Sequence, residues 1–214
     1  PLSRKLGKTD FRLLQEIYSQ NEESRPIAQI ADKLHPWAAF IFAGSTFPKG
    51  YSSETGADML LTNAAADINK SRGSLESLDD VTAIFKAQPE ETMLNFLKAS
   101  IKTNKEETED IKKLHQAYSD GRFEELIPLL EETEQRTLKR VDAKYAKAMS
   151  DWLKNDLLIR RNQAWLPEIR KQSAKQSTLF AVGIAHLPSK KGLIELLRQE
   201  GYQVTPEPKV LIWQ

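Results

Sequence analysis

Apolar residues in the first part of this chain recur at three- and four-residue steps, a period that admits helix and little else. Phe11, Leu13, Leu14 and Ile17 are followed at the same spacing by Ile27, Ile30, Leu34, Trp37, Phe40 and Ile41. Pro26 and Pro36 divide the run, each suited to the first turn of a new helix, where a missing N–H is not needed. The spacing predicts two or three helices before the Gly-, Ser- and Pro-rich residues 44–53, which read as a surface loop or lid. A further helix follows over residues 58–68. Ser77 is placed to cap the next one, with Asp79 and Asp80 in its first turn. Pro89-Glu90-Glu91 opens another, whose buried face is Met93, Leu94, Phe96, Leu97 and Ile101. Residues 105–170 are charge-dense and predict long solvated helices, broken at Ser119-Asp120-Gly121 and near Pro128.

The character changes after residue 176. Residues 177–185, Ser-Thr-Leu-Phe-Ala-Val-Gly-Ile-Ala, form a short continuous apolar run that fits a buried strand. Residues 192–200 then read as a helix with Leu193, Leu196 and Leu197 inward, and Gly201 is placed to end it in the left-handed conformation. Residues 203–205 and 210–213 are two more strand candidates. The expected fold is therefore α+β and predominantly helical: a helical body over 10–170, then a strand-helix-strand tail over 177–214 that completes a sheet. One or two strands cannot form a stable sheet alone, and the body offers few partners.

Composition narrows the function. Lys and Arg number 31 against 30 Asp and Glu, a formal charge of +1 over 214 residues, which excludes a dedicated nucleic-acid binder. No stretch approaches the about 18 apolar residues of a membrane span. With no cysteine, disulfides, thiolate catalysis and cysteine-ligated zinc are excluded. The chain starts at Pro1 without a methionine, which is expected of a polypeptide shortened at its amino terminus.

Three histidines are present, and they differ in setting. His35 and His115 read as surface or packing residues. His186 stands at the end of the predicted strand, before a Pro-Ser turn and a helix start, where open α/β sheets place ligand-binding residues. A neutral ring there can bind a metal or accept a proton, and the alternative is a histidine that satisfies a turn. Gly183, three residues earlier, reads as a place where another backbone or a ligand approaches closely. Trp152, Trp165 and Trp213 read as core or interface aromatics. The Glu124-Glu125 and Glu131-Glu132 pairs lack the spacing and central glycine of a calcium loop.

Taken together, Arg161-Asn162, the stretch Leu179 to Leu187 containing Gly183 and His186, Lys191-Gly192-Leu193 and Gly201-Tyr202-Gln203-Val204 resemble the carboxyl-terminal signature of the TraB/PrgY/GumN family, which includes the TIKI proteases. Pro36-Trp37, Gly56-Ala57-Asp58 and Ser74-Leu75-Glu76-Ser77 extend the resemblance in order along a single domain spanning 1–214. The resemblance implies an erythromycin-esterase/ChaN-like sheet-plus-helices fold and a metal-dependent, peptidase-like hydrolase. It implies His186 as ligand to a divalent ion of manganese or cobalt type, and Glu76 and Arg161 as catalytic assistants. Asn162 and Gly183 would help to hold a peptide or small-molecule substrate. The family's first Gly-x-x-His has no counterpart here, and Arg160 stands where the family often carries an acid. The alternative is a non-catalytic protein that binds a peptide, haem or another small ligand on the same fold. Exported family members imply a periplasmic or secreted setting, while the oligomeric state has no signature in the sequence.

Overall fold

The structure, a computed structural model, describes residues 1–47 and 50–206. It divides into two compact units, Pro1–Trp152 and Leu153–Gln214.

The first unit begins with α1 (Leu2–Leu6), α2 (Lys8–Ser19) and α3 (Arg25–Ile30), followed by α4 (Pro36–Gly44). Pro26 and Pro36 both lie in the first turn of their helices, as the fixed φ of proline favours. After α5 (Ala57–Asp67), α6 (Leu78–Lys86) starts at a capping box. The Ser77 hydroxyl accepts from the Asp80 N–H at 3.1 Å, and the Asp80 carboxylate accepts from the Ser77 N–H at 2.9 Å. The spine of the unit is α7 (Glu90–Ser119), which opens after Pro89 with two acids in its first turn and stops at Asp120-Gly121. There Gly121 takes a φ of 69°, the left-handed turn in which glycine ends helices without strain. Next comes α8 (Leu126–Leu138), which takes Pro128 into its first turn, and α9 (Ala143–Asp151) is capped by Asp142.

Helices α4, α8 and α2 pack along α7. The core joins Leu2, Leu6, Leu14, Ile17 and Tyr18 to Ala39, Ala43, Leu97 and Ile101. Alanines at positions 39 and 43 let α4 approach closely enough for the buried Tyr18 hydroxyl to donate to the Ala39 carbonyl at 2.7 Å. At the other end of this core Trp152 is 2 % exposed. Its ring meets those of Phe85, Phe96 and Phe40 at centroid distances of 5.1, 5.7 and 6.0 Å. Trp152 is thus a core aromatic, one of the two roles expected of it.

A π-helical segment, Trp152–Ile159, begins at the last residue of the first unit and passes into α10 (Arg160–Ser173), which runs on through Pro167. An irregular stretch then leads to a 3-10 turn, Ile184–His186, and to α11 (Leu193–Gln199), ended by Gly201 at a φ of 89°.

The expected sheet is not there. The described residues are 71 % helical, and no strand occurs among them. Residues 177–183 carry no regular secondary structure, with Leu179 left 75 % exposed, and residues 203–205 are irregular as well. The third candidate strand, 210–213, lies outside the described residues, as does Trp213. The physical reason lies in the backbone. A strand exists only where its N–H and C=O groups meet those of another strand, and an apolar run of β-branched and aromatic residues supplies no partner. This overturns the strand-helix-strand tail and, with it, the erythromycin-esterase/ChaN-like sheet. The fold of the described residues is all-α. No helix among them is long and apolar enough to cross a membrane.

Candidate functional site

The second unit gathers Arg161, Asn162, Trp165 and His186 around one buried point. Arg161 and Asn162 are adjacent in the first turn of α10, and Trp165 follows one turn later on the same side, so the helical period brings all three together. His186 arrives from the 3-10 turn, whose geometry is set by the His186 N–H donating to the Gly183 carbonyl at 2.9 Å. The motif histidine therefore sits on a turn and not at a strand end. Its side chain and those of Asn162 and Trp165 are almost wholly buried.

Asn162 organises the cluster. Its Nδ2 donates to two backbone carbonyls, His186 O at 3.2 Å and Lys191 O at 3.0 Å. Those two bonds fix the amide orientation and turn Oδ1 to His186 Nδ1, 2.7 Å away. An amide oxygen only accepts, so Nδ1 carries the hydrogen. The other ring nitrogen, Nε2, faces Arg161 Nη1 at 3.4 Å, and a guanidinium only donates, so Nε2 presents its lone pair. Arg161 is held in turn by the Leu157 carbonyl at 2.9 Å and by the Trp165 ring, 5.0 Å from its central carbon. The Trp165 and His186 ring centroids stand 4.5 Å apart. Arg160, next to this cluster in sequence, forms an ion pair with Asp156 on its own helix.

Two glycines differ in what they permit. At Gly183 an added Cβ would meet His186 Cδ2 at 3.7 Å, an ordinary contact, so no other backbone approaches closely there. At Gly192 a Cβ would fall 1.9 Å from the Pro188 carbonyl oxygen and 2.4 Å from that of Leu187. The turn between His186 and α11 closes on that missing side chain, and Ser189 within it takes a φ of 80°. The sequence marks Gly183 as the place of close approach and Gly192 only as the start of a helix and part of the Lys191-Gly192-Leu193 signature. Trp165, read as a core aromatic, is also a wall of the cluster.

Among the expected site residues, Arg161, Asn162 and His186 come together, and Gly183 opens the turn that carries His186. Glu76 belongs to the first unit, half-buried in the irregular stretch ahead of α6. His35 lies at the surface with Nε2 3.2 Å from Glu90, and His115 meets the Tyr51 ring edge-on at 5.2 Å.

A model of the TraB/PrgY/gumN family matches residues 1–206. The chain belongs to the TraB/PrgY/gumN family. No individual curated protein and no solved structure matches it.

The donor set around His186 was expected to hold a divalent ion. Among the described residues, however, no three His, Asp or Glu side chains stand close enough together to hold a metal. Nδ1 is spent on Asn162, and Nε2 lies beside a guanidinium whose permanent charge opposes a second cation there. A catalytic ion wants about three protein ligands. These residues do not fit one. What they offer is a lone pair on a buried, oriented imidazole next to a fixed positive charge, a pair suited to an oxygen-bearing anion or to a carbonyl gaining negative charge.

Proposed function

We propose that this member of the TraB/PrgY/gumN family is a hydrolase of peptide-like substrates, working in the periplasm or outside the cell, with His186 as its reactive nitrogen. The single observation that supports this is the 2.7 Å hydrogen bond from His186 Nδ1 to Asn162. It fixes the tautomer and aims Nε2, as groups behind a catalytic imidazole do. In the proposed step, Nε2 accepts a proton from the water that attacks the amide carbonyl, and Arg161 stabilises the oxyanion that forms. The imidazolium then returns that proton to the leaving amine.

One observation favours a second reading, ligand binding without turnover. Arg161 Nη1 occupies the approach to Nε2 at 3.4 Å, where the attacking water would stand, and such a pair suits a bound carboxylate.

Hydrolysis of a fluorogenic peptide library, with and without added manganese or cobalt, distinguishes the two. For the hydrolase, His186→Ala loses at least about 100-fold in rate while its circular dichroism is unchanged. No turnover in the unmodified chain, together with peptide binding that Arg161→Ala abolishes, would replace the first reading by the second.

A further inference from the structure

The seam between α7 and α8 holds more acid than base in a place short of water. Asp110 on α7 is 5 % exposed and accepts from Arg136 Nη1 at 2.5 Å and from the Thr133 hydroxyl at 3.0 Å. Both nearby guanidinium groups are engaged elsewhere than at Glu107: Arg136 also reaches Glu132 at 3.0 Å, and Arg140 reaches Glu106 at 3.2 Å. Glu107 lies one turn before Asp110 and is met by two hydroxyls, Thr103 of its own helix and Thr137 of α8, the latter at 3.2 Å. Both threonines are buried.

Other charged groups directed at α7 go to different carboxylates. Lys5 and His35 meet Glu90, Lys144 meets Glu91, Lys112 meets Glu109, and Lys113 meets Asp110. A hydroxyl carries no net charge to set against a carboxylate, so ionised Glu107 is a partly buried negative charge flanked by Glu106 and Asp110. Protonated, it is neutral, and the same threonine oxygens can turn to accept from it.

We propose that this seam is an acid-responsive latch: proton uptake by Glu107 fastens α8 to α7, and its ionisation loosens them. Burial pushes the Glu107 carboxyl above the ordinary glutamate range, and Asp110 and Glu106 add to that push against the two threonine hydroxyls. When the seam opens, the carboxyl returns to its ordinary affinity for protons. The closed seam therefore binds the proton more tightly. The latch is fully fastened below the ordinary glutamate range and gives way as pH rises through the raised value.

Amide hydrogen exchange of the full chain at pH 5 and pH 8, corrected for intrinsic chemical rates, tests the latch. Opening of α8 is expected to be more frequent at pH 8 than at pH 5, relative to α2, because ionisation of Glu107 removes the stabilisation that its bound proton gives the closed seam. Glu107→Gln, which keeps the neutral shape, is expected to hold α8 closed at both values. An α8 that opens equally at the two, or a glutamine variant that keeps the pH dependence, overturns the proposal. Should that variant fail to fold, carbon-13 titration of the Glu107 carboxyl in the unmodified chain decides: a midpoint above the ordinary glutamate range supports the latch, and one within or below it overturns the latch.

Discussion

Asn162 holds His186 twice: its Oδ1 accepts from the ring Nδ1 at 2.7 Å, and its Nδ2 donates to the same residue's carbonyl at 3.2 Å. One side chain thereby sets the ring's tautomer and its backbone together. Asn162→Ala strands a ring N–H and two carbonyls in the interior, and each buried orphan costs about 1–3 kcal/mol. The expected loss is about 3 kcal/mol in urea unfolding of the second unit. A loss below about 0.5 kcal/mol, the range of ordinary surface changes, contradicts this role.

Gly192 and Gly183 make a matched pair of tests. Gly192→Ala places a methyl 1.9 Å from a backbone oxygen that no side-chain rotation can move away, and is expected to destabilise the chain by about 2–3 kcal/mol. Gly183→Ala meets only ordinary contact at a φ of −58°, and its effect should stay within about 0.5 kcal/mol. Thermal midpoints of the two variants, measured side by side, check the order.

Trp152 fills its pocket with one buried indole N–H that has no hydrogen-bond partner. Trp152→Ala is expected to cost about 3–5 kcal/mol in stability. Trp152→Phe keeps much of the packing against Phe40, Phe85 and Phe96 and removes the unpartnered donor. Its cost should therefore be less than half as large, as chemical denaturation would show.

The cap of α6 should respond to acid. The Ser77 hydroxyl and N–H hold the Asp80 carboxyl below the ordinary aspartate range. A lowered carboxylate contributes stability above its unfolded value, and that contribution is lost as pH falls through the folded one. Helicity at residues 78–86, followed by amide resonances, should thus survive through the ordinary aspartate range and fray below it. In Ser77→Ala the fraying is expected already at neutral pH, and equal behaviour of the two proteins would refute the capping role.

Much of the first unit was legible because its signals are local. Pro26, Pro36, Ser77, Pro89 and Gly121 act within a turn of themselves, and each stands where its chemistry predicts. The sequence motifs name Arg161, Asn162 and His186 together, and the structure brings their side chains into one cluster. Their geometry was not legible. That Asn162 spends its amide on two carbonyls depends on atoms 24 and 29 positions away in the chain, and that Gly192 is the glycine the turn requires depends on how the backbone four and five residues before it folds back.

The failed expectation has the same origin. Residues 177–185 carry the composition of a buried strand, yet composition describes only one of the two partners a ladder needs. By itself the sequence determined the helices, their caps and stops, the exclusion of cysteine chemistry, and the family whose motifs it carries, since each is written in neighbouring residues. Only the tertiary structure decided that the apolar run 177–185 forms no strand, that Nε2 of His186 faces a guanidinium, and that partly buried Glu107 is met by hydroxyls and not by a base. These depend on which groups meet across long stretches of chain, and pairing at that range follows from packing.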